Sequence, residues 1–409
     1  MDEGDGRLTD RRIALAREWE AVVDEVRGLP GFEDFLRLPS LDGLLEAASA
    51  GPVVIVNVSR WRCDALMVTT EGVHPVPLRD VTASDVVGYV NRYLAALNGP
   101  GPATADRPLS FTEQIALRKA FREQRSEAMS ATMEWLWDAV AEPVLADLGI
   151  VEPAQGDPPR LWWCPTGLLS LLPLHGAGYH ALSEGRTVLD RVISSYTPTL
   201  RVLREARRAH EAGPRRMLFV GVPTAADEVE MAEELNREKN AVATAFPGGF
   251  STIDGPAATV QAVADALSGH RWIHVSCHGY QNVYDPSRAG FELVDGTLAI
   301  PQITRGRYSG EFAFLSACMT ATGGVNLSDE AITLAAALHY SGYQHVVATL
   351  WKVPPAIAAR VTELVYPALA RHGGFSPEGA AKALHDALLV LRGEGARLDE
   401  WLPFTHTGP

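Results

Sequence analysis

The sequence has 409 residues but no long apolar run and only four cysteines. No stretch approaches the ~20 apolar residues that a membrane-spanning helix needs. The first residues, MDEGDGRLTDRR, contain no apolar segment of the kind found in secretory signals. The cysteines, at positions 63, 164, 277 and 318, show neither paired spacing nor a metal-knuckle motif. We therefore expect a cytoplasmic protein without a membrane association, whose cysteines are thiols.

Basic residues are also in deficit. Lys and Arg number 36 against 50 Asp and Glu, a net charge of −14, which repels phosphate backbones and predicts no direct binding to nucleic acid. Walker-type GxxxxGK[ST] loops, GxGxxG fingerprints and GxSxG elbows are absent, which argues against a nucleotide-binding protein or a serine hydrolase. The hydrophobic fraction of 46% is enough for a large core in two or three compact units.

Two apolar runs carry the candidate chemistry. One extends over residues 271–279 and includes His278, and the other extends over residues 311–318 and ends at Cys318. Both runs are typical of buried strands. Because the carboxyl ends of parallel strands meet at one edge of a sheet, we expect this imidazole and this thiol to meet as base and nucleophile.

Strand alternation favours Cys318 over Cys277 as the nucleophile. His274 and His278 share one face of the first strand, while Cys277 lies on the other face, away from the chemistry. A glycine after the histidine lets a substrate backbone come close. The backbone N–H groups of Gly279 and Cys318 are therefore the candidates for stabilising an oxyanion.

Two other interpretations of these residues exist. Free cysteines and strand-end histidines are often buried core residues without a catalytic role. His270, His274 and His278 recur every four residues and would align as zinc ligands on a helix. Trp272 and its neighbours indicate a strand instead, so we predict no metal site and no cofactor.

Several blocks occur in the order found in one known family. They are LWWCPTGLLSLLPLHGAGY, ISSYTPTLRVL, HVSCHG, FELVDGTLAI, FAFLSACMTATGG, LSDEAITLAAALHYSGYQHVVATLWKVPP and EWLPFTHTG. Together they resemble the CHAT family of caspase-like cysteine peptidases of clan CD. The resemblance puts the family's histidine on His278 and its cysteine on Cys318, and Glu330 matches an acidic position of its motif. It implies an endopeptidase related in fold to caspases, separases and gingipains.

The predicted fold is α/β, with a caspase-like, mostly parallel sheet flanked by helices. We predict a helical segment over residues 1–45, a companion α/β region with a long helix over 46–150, and the peptidase domain over 151–409. The companion region is interpreted, by analogy with relatives, as an inactive caspase-like half. Residues 7–28 have the spacing of an amphipathic helix, which could dock a regulatory protein.

The family resemblance implies a bacterial protein whose activity a sensor or partner controls, in defence or regulated cell death. In the family the peptidase part often follows tetratricopeptide repeats, but this sequence shows no internal period of the length that such repeats have.

Substrate specificity is weakly encoded. Relatives that cut after Lys or Arg often have a carboxylate two residues before the nucleophile, where this chain has Ser316. The acidic residues Asp285, Glu292, Asp295 and Glu330 are further candidates for contacting a protein or peptide substrate, although solvated surface positions explain them equally well. The sequence thus predicts a His–Cys endopeptidase of unspecified P1 preference, with an inactive peptide-binding scaffold as the alternative.

Overall fold

The computed structural model describes residues 3–29, 35–37, 39–98, 110–182, 185–208, 215–223, 228–247, 249–280, 288–306, 308–316, 333–370 and 374–409. By its contacts the chain divides into two compact units, residues 1–46 and 47–409. The first unit contains helix α1, Glu3–Arg27, which confirms the helix predicted near residues 7–28, and the short helix α2, Leu41–Leu45. None of the described helices is long and apolar enough to cross a bilayer.

The second unit is built on fourteen described strands. In chain order they are β1 Val53–Asn57, β2 Asp64–Thr69, β3 Gly72–Pro77, β4 Arg160–Pro165, β5 Ile193–Tyr196, β6 Met217–Gly221, β7 Ser251–Asp254, β8 Trp272–Ser276, β9 His278–Tyr280, β10 Gly290–Leu293, β11 Gly296–Ala299, β12 Phe312–Leu315, β13 His345–Thr349 and β14 Phe404–Thr407.

The described helices of this unit flank and connect the strands. They are α3 Ala83–Asn98, α4 Phe111–Leu136, α5 Glu142–Asp147, α6 Val188–Arg191, α7 Leu200–Ala206, α8 Glu228–Ala245, α9 Val260–Leu267, α10 Ile300–Ile303, α11 Leu334–Tyr340, α12 Pro355–Leu369, α13 Ala380–Gly393 and α14 Leu398–Trp401. A π-helical turn over Trp137–Ala141 separates α4 from α5, and Pro143 lies in the first turn of α5.

Eleven of the strands form one sheet, in the order β3, β2, β1, β4, β5, β14, β13, β12, β8, β6, β7. The pairs around β12 and β8 are parallel, and antiparallel pairing occurs where β14 meets β13 and in the β1–β2–β3 meander. The fold class expected from the sequence, a mostly parallel sheet between helices, is confirmed. Strands β1–β3 come from the region predicted as a companion half and are continuous with this sheet; the three-part domain division stays a prediction.

Alternation along the central strands gives the sheet two apolar faces. Phe219, Trp272 and Phe314 pack on the face covered by α8, α12 and α13. Their neighbours in sequence, such as Ile273 and Leu315, pack on the other face, with α9, α11 and a small sheet of β9, β10 and β11. Strands buried on both faces read as continuous apolar runs, which explains why these segments stand out in the sequence.

Candidate active site

Strands β8 and β12 are direct neighbours and end at the same edge of the sheet. They pair in parallel, with Val275 opposite Leu315 as the last described pair. Strand β13 lies on the other side of β12, also parallel, and ends at Thr349. The carboxyl edge of an open α/β sheet is where ligands bind, because the loops that leave it are free to shape a crevice. The expected adjacency of the two strands that lead to His278 and Cys318 is confirmed.

The apolar run suggested that His278 ends the long strand. In the structure this strand, β8, ends at Ser276. The chain bends at Cys277, and His278 begins β9, which pairs with β10 of the small sheet. Cys277 is buried in the apolar layer between the sheets, and its thiol donates to the carbonyl oxygen of His278 at 3.2 Å. The imidazole is half-buried, and so is Gly279. The small sheet therefore holds the candidate base over the edge of the large one.

Glu292 lies directly opposite His278 in the antiparallel β9–β10 ladder. Residues paired in this way point to the same side, with Cβ atoms about 5 Å apart. Glu292 is exposed, while Phe291 and Leu293 beside it are buried in the core. The carboxylate is thus placed beside the candidate base, a relationship that the sequence analysis did not predict.

Cys318, Asp285 and Glu330 lie outside the described residues, so their predicted roles stay predictions. The last described residue after the second strand is Ser316, two residues before Cys318. The other three cysteines are described, and all are buried. Burial raises the pKa of the Cys164 thiol to about 12, so this cysteine is a poor nucleophile.

Asp295 and Ser316, two other candidates for contacting a substrate, make hydrogen bonds within the protein. Asp295 is exposed in the two-residue turn Val294–Asp295 between β10 and β11, and it accepts from the backbone N–H of Val260 at 2.7 Å, at the start of α9. Ser316 donates to Glu238 at 3.0 Å. Their roles toward a substrate stay predictions.

A buried polar network lies directly below this edge. Glu238, on α8, accepts from Ser316 with Oε1 and is 2.7 Å from His274 Nε2 with Oε2. The other ring nitrogen of His274 is 3.0 Å from the hydroxyl of Tyr366 on α12. The imidazole of His274 is stacked between the rings of Phe219 and Phe314, with centroids 5.1 and 5.0 Å away. His274 is therefore a fully bonded core residue.

The same geometry argues against a zinc site built from His270, His274 and His278. His274 lies on a strand, and both of its ring nitrogens contact protein partners. His270 is bound in the same way, with Nδ1 2.7 Å from the carbonyl oxygen of Ala266 and Nε2 2.9 Å from the hydroxyl of Ser251. Within the described part of the chain, no group of His, Cys, Asp and Glu is arranged to hold a metal ion.

A cavity of about 340 Å³ opens where β13 ends, next to β12. Trp351 and Lys352 line it from the loop after β13, and Arg125 and Arg397 line it from α4 and from just before α14. The indole N–H of Trp351 donates to the carbonyl oxygen of Asp399 at 3.0 Å, which fixes one wall. The cavity is thus formed by the segment after β13 and by residues of other elements, and none of its lining residues belongs to β8, β9 or β12.

Helix α11 is the first described element after β12. The described helix, α11, begins at Leu334 and is capped by Thr333, whose hydroxyl accepts from the N–H of Ala336 at 2.9 Å.

The sequence analysis missed Glu238 and Tyr366. Glu238 lies in the charged run EELNREKN, where nothing distinguishes it from the solvent-facing acids around it. Its burial follows from the packing of α8 on the sheet, which a one-dimensional pattern does not show.

Comparison with solved structures supports the fold. Separase of Saccharomyces cerevisiae, in its complex with securin, aligns with a TM-score of 0.60 at 9% identity, over 90% of this chain and 31% of the separase chain. The chain therefore spans about a third of the length of that protein. Gingipain R, an Arg-specific cysteine proteinase, aligns with a TM-score of 0.44 at 12% identity, over 71% of this chain and 75% of the other.

A comparison with curated protein sequences gave no match. The family model of the CHAT domain matches residues 130–409, more than half of the chain, and that segment contains strands β4–β14 and both His278 and Cys318. The resemblance found in the sequence is thereby confirmed: the protein is a member of the CHAT family, with a caspase-like fold.

Proposed function

We propose that the chain is a cysteine endopeptidase that cleaves a protein substrate, with Cys318 as nucleophile and His278 as base. The observation that carries the proposal is the strand register. Val275 and Leu315 are the last described pair of β8 and β12, and their separation in sequence equals that between His278 and Cys318. The two candidate residues thus follow their neighbouring strands at matching positions, three residues beyond the same pair.

The chemistry is acyl transfer to sulfur. His278 takes the thiol proton, the Cys318 thiolate attacks the scissile carbonyl carbon, and the N–H groups of Gly279 and Cys318 stabilise the oxyanion. His278 then gives its proton to the leaving amine as the C–N bond breaks. Water attacks the acyl-enzyme with His278 as base, which releases the acid product and restores the thiol.

The surroundings of His278 support this role. The side chain is half-buried, so it is both held by the small sheet and reachable from solvent. Glu292 is its direct cross-strand partner in β10. His274, four residues earlier, has both ring nitrogens engaged in the core and is not available as a base.

We also propose that a protein partner controls the activity, as the family resemblance implies for bacterial defence or regulated cell death. The amphipathic helix α1 is the segment that would dock such a partner. The finding that separase was solved as a complex with securin is a property of that protein, and it motivates a search for an equivalent partner here. Removal of residues 1–46 should change the response to the partner without abolishing thiol reactivity.

The test is mass spectrometry of the intact protein after incubation with a peptide acyloxymethyl ketone, for wild type, His278→Ala and Cys318→Ala. We expect rapid single labelling at Cys318 that depends on His278. Cleavage of a peptide library that differs only at P1 should be lost in both variants. Full activity in Cys318→Ala, or labelling indifferent to His278, would contradict the proposal and favour an inactive scaffold that binds peptides.

A further inference from the structure

The polar network under the active-site edge joins four separate elements. Tyr366 of α12, His274 of β8, Glu238 of α8 and Ser316 after β12 are linked in one continuous chain of hydrogen bonds. This hydrogen-bond network includes a residue from each of the two segments that lead to the proposed dyad. His274 is four residues before His278, and Ser316 is two residues before Cys318.

The donors and acceptors of this network fit one continuous arrangement. Glu238 accepts from the Ser316 hydroxyl and from His274 Nε2–H, and His274 Nδ1 accepts from the Tyr366 hydroxyl. Burial, and then the charge of Glu238, raise the pKa of Tyr366 well above its usual range, so the phenol keeps the proton it donates. All three donors therefore point toward the carboxylate or toward the ring that faces it.

Glu238 is held in the core. It is 3% exposed, and its Oε2 lies 2.7 Å from Nε2 of His274 on β8. The same carboxyl group accepts a hydrogen bond from the hydroxyl of Ser316, which is half-buried just after β12. A buried carboxyl group costs stability unless its hydrogen bonds are made, so the bond to Ser316 is favoured.

We propose that Glu238 is a positioning residue of the active site: through its hydrogen bond to Ser316, two residues before Cys318, it controls the reactivity of the proposed nucleophile. This inference rests on the proposed peptidase function for its kinetic consequences. Its structural content, that Glu238 controls the reactivity of Cys318, does not require that a peptide be cleaved.

The experiment uses two variants that weaken the hydrogen bond between Glu238 and Ser316. Each variant is compared with a matched control. Glu238→Gln removes the charge, and Ser316→Ala removes the hydroxyl that the charge holds. The control for the first is Glu363→Gln, the same change on the neighbouring helix. The control for the second is Ser341→Ala, a buried serine whose hydroxyl donates to the carbonyl oxygen of Ala337 at 2.7 Å, at the end of α11.

The substrate-independent readout is the rate at which iodoacetamide alkylates Cys318, followed by peptide mass spectrometry on the full chain. We expect Glu238→Gln and Ser316→Ala to lower this rate and kcat by about tenfold or more, with KM changed by less than about twofold, because small displacements of a nucleophile have large kinetic effects. Ser316→Thr, which keeps the hydroxyl, should restore the rate. Both controls should react like wild type.

The outcomes separate the inference from the proposed function. Unchanged alkylation and kcat in Glu238→Gln, with only a lower melting temperature, would overturn the positioning role. An increase in KM alone in Ser316→Ala, with normal alkylation, would also overturn it, because it would make Ser316 a substrate contact. If wild type cleaves nothing but alkylation of Cys318 still falls in Glu238→Gln and not in Glu363→Gln, the positioning role stands and the peptidase function fails.

Discussion

Glu292 faces His278 across the β9–β10 ladder, as its direct partner in the antiparallel register. The sequence analysis assigned this carboxylate to substrate contact, whereas the register puts it beside the proposed base. A neighbouring carboxylate can orient an imidazole and stabilise its protonated form during proton transfer. The two roles make different kinetic predictions.

We expect Glu292→Gln to lower kcat by about three- to tenfold with little change in KM, since general-base steps lose only part of their advantage when an orienting group is removed. Steady-state kinetics with a cleaved peptide checks this. Glu71→Gln, an exposed acid in the β2–β3 turn, is the control and should behave like wild type. An unchanged kcat with a KM that rises only for basic peptides would return Glu292 to the substrate-contact role.

The native protein should show one fast-reacting thiol. Cys63, Cys164 and Cys277 are buried, and thiols in such surroundings react slowly with water-soluble disulfides. Titration with Ellman's reagent should therefore give one fast equivalent in the folded protein and four in guanidinium chloride. The fast equivalent should vanish in Cys318→Ala; two or more fast equivalents in wild type would contradict the assignment.

Stability should fall on mild acidification. Burial lowers the pKa of His175 and His339 to about 4 and that of His345 to about 3, so each is neutral in the folded protein. The unfolded chain binds a proton at each of them near pH 6.5, so stability is complete above that pH and is lost progressively down to about pH 4.

When the pH falls from 7.5 to 5.5, each such histidine should lower the free energy of unfolding by about 1.4 kcal/mol. Urea denaturation at the two pH values measures the difference. His345→Gln removes one titrating group, so the variant should lose less stability over this interval than wild type does. An equal loss in both would show that other groups cause the acid sensitivity.

Gly408 should not tolerate a side chain. Its φ is +130°, and a Cβ atom would lie 2.1 Å from the carbonyl oxygen of Gln344. Gly408→Ala should therefore lower the unfolding free energy by about 2–4 kcal/mol, through backbone strain and the clash together. Gly395 also has a positive φ, +82°, but nothing lies within 4 Å of its Cβ position. Gly395→Ala is thus the control and should cost about 1 kcal/mol in denaturation experiments; similar losses in both would leave no role for the contact with Gln344.

Continuous apolar runs predicted the central strands well because those strands are buried on both faces. Trp272–Ser276 and Phe312–Leu315 appear in the sequence as they appear in the sheet, and their parallel pairing follows from their common α/β context. The bend at Cys277 was not predictable in this way, because Cys277 is apolar and continues the alternation of the strand before it. It is the pairing of His278 with Glu292, a contact between two separate segments of the chain, that turns the backbone into a second sheet.

Glu238 was unpredictable for a different reason. Its network partners, Tyr366, His274 and Ser316, come from three other elements that are distant in sequence, and a glutamate in a charged helix is usually solvated. Only the packing of α8 on the sheet makes it a buried carboxyl group.

Strand β14 is the last described strand, yet it lies in the interior of the sheet, between β5 and β13. In the described sheet, β14 alone joins two groups of strands. One group is β1–β5, and the other is β6–β8, β12 and β13. During synthesis, the two groups of strands therefore cannot join into one sheet until residues 404–407, which form β14, have left the ribosome. A nascent chain would therefore carry His278 and Cys318 before the sheet that contains their strands is complete, so the whole sheet can form only after translation of this segment.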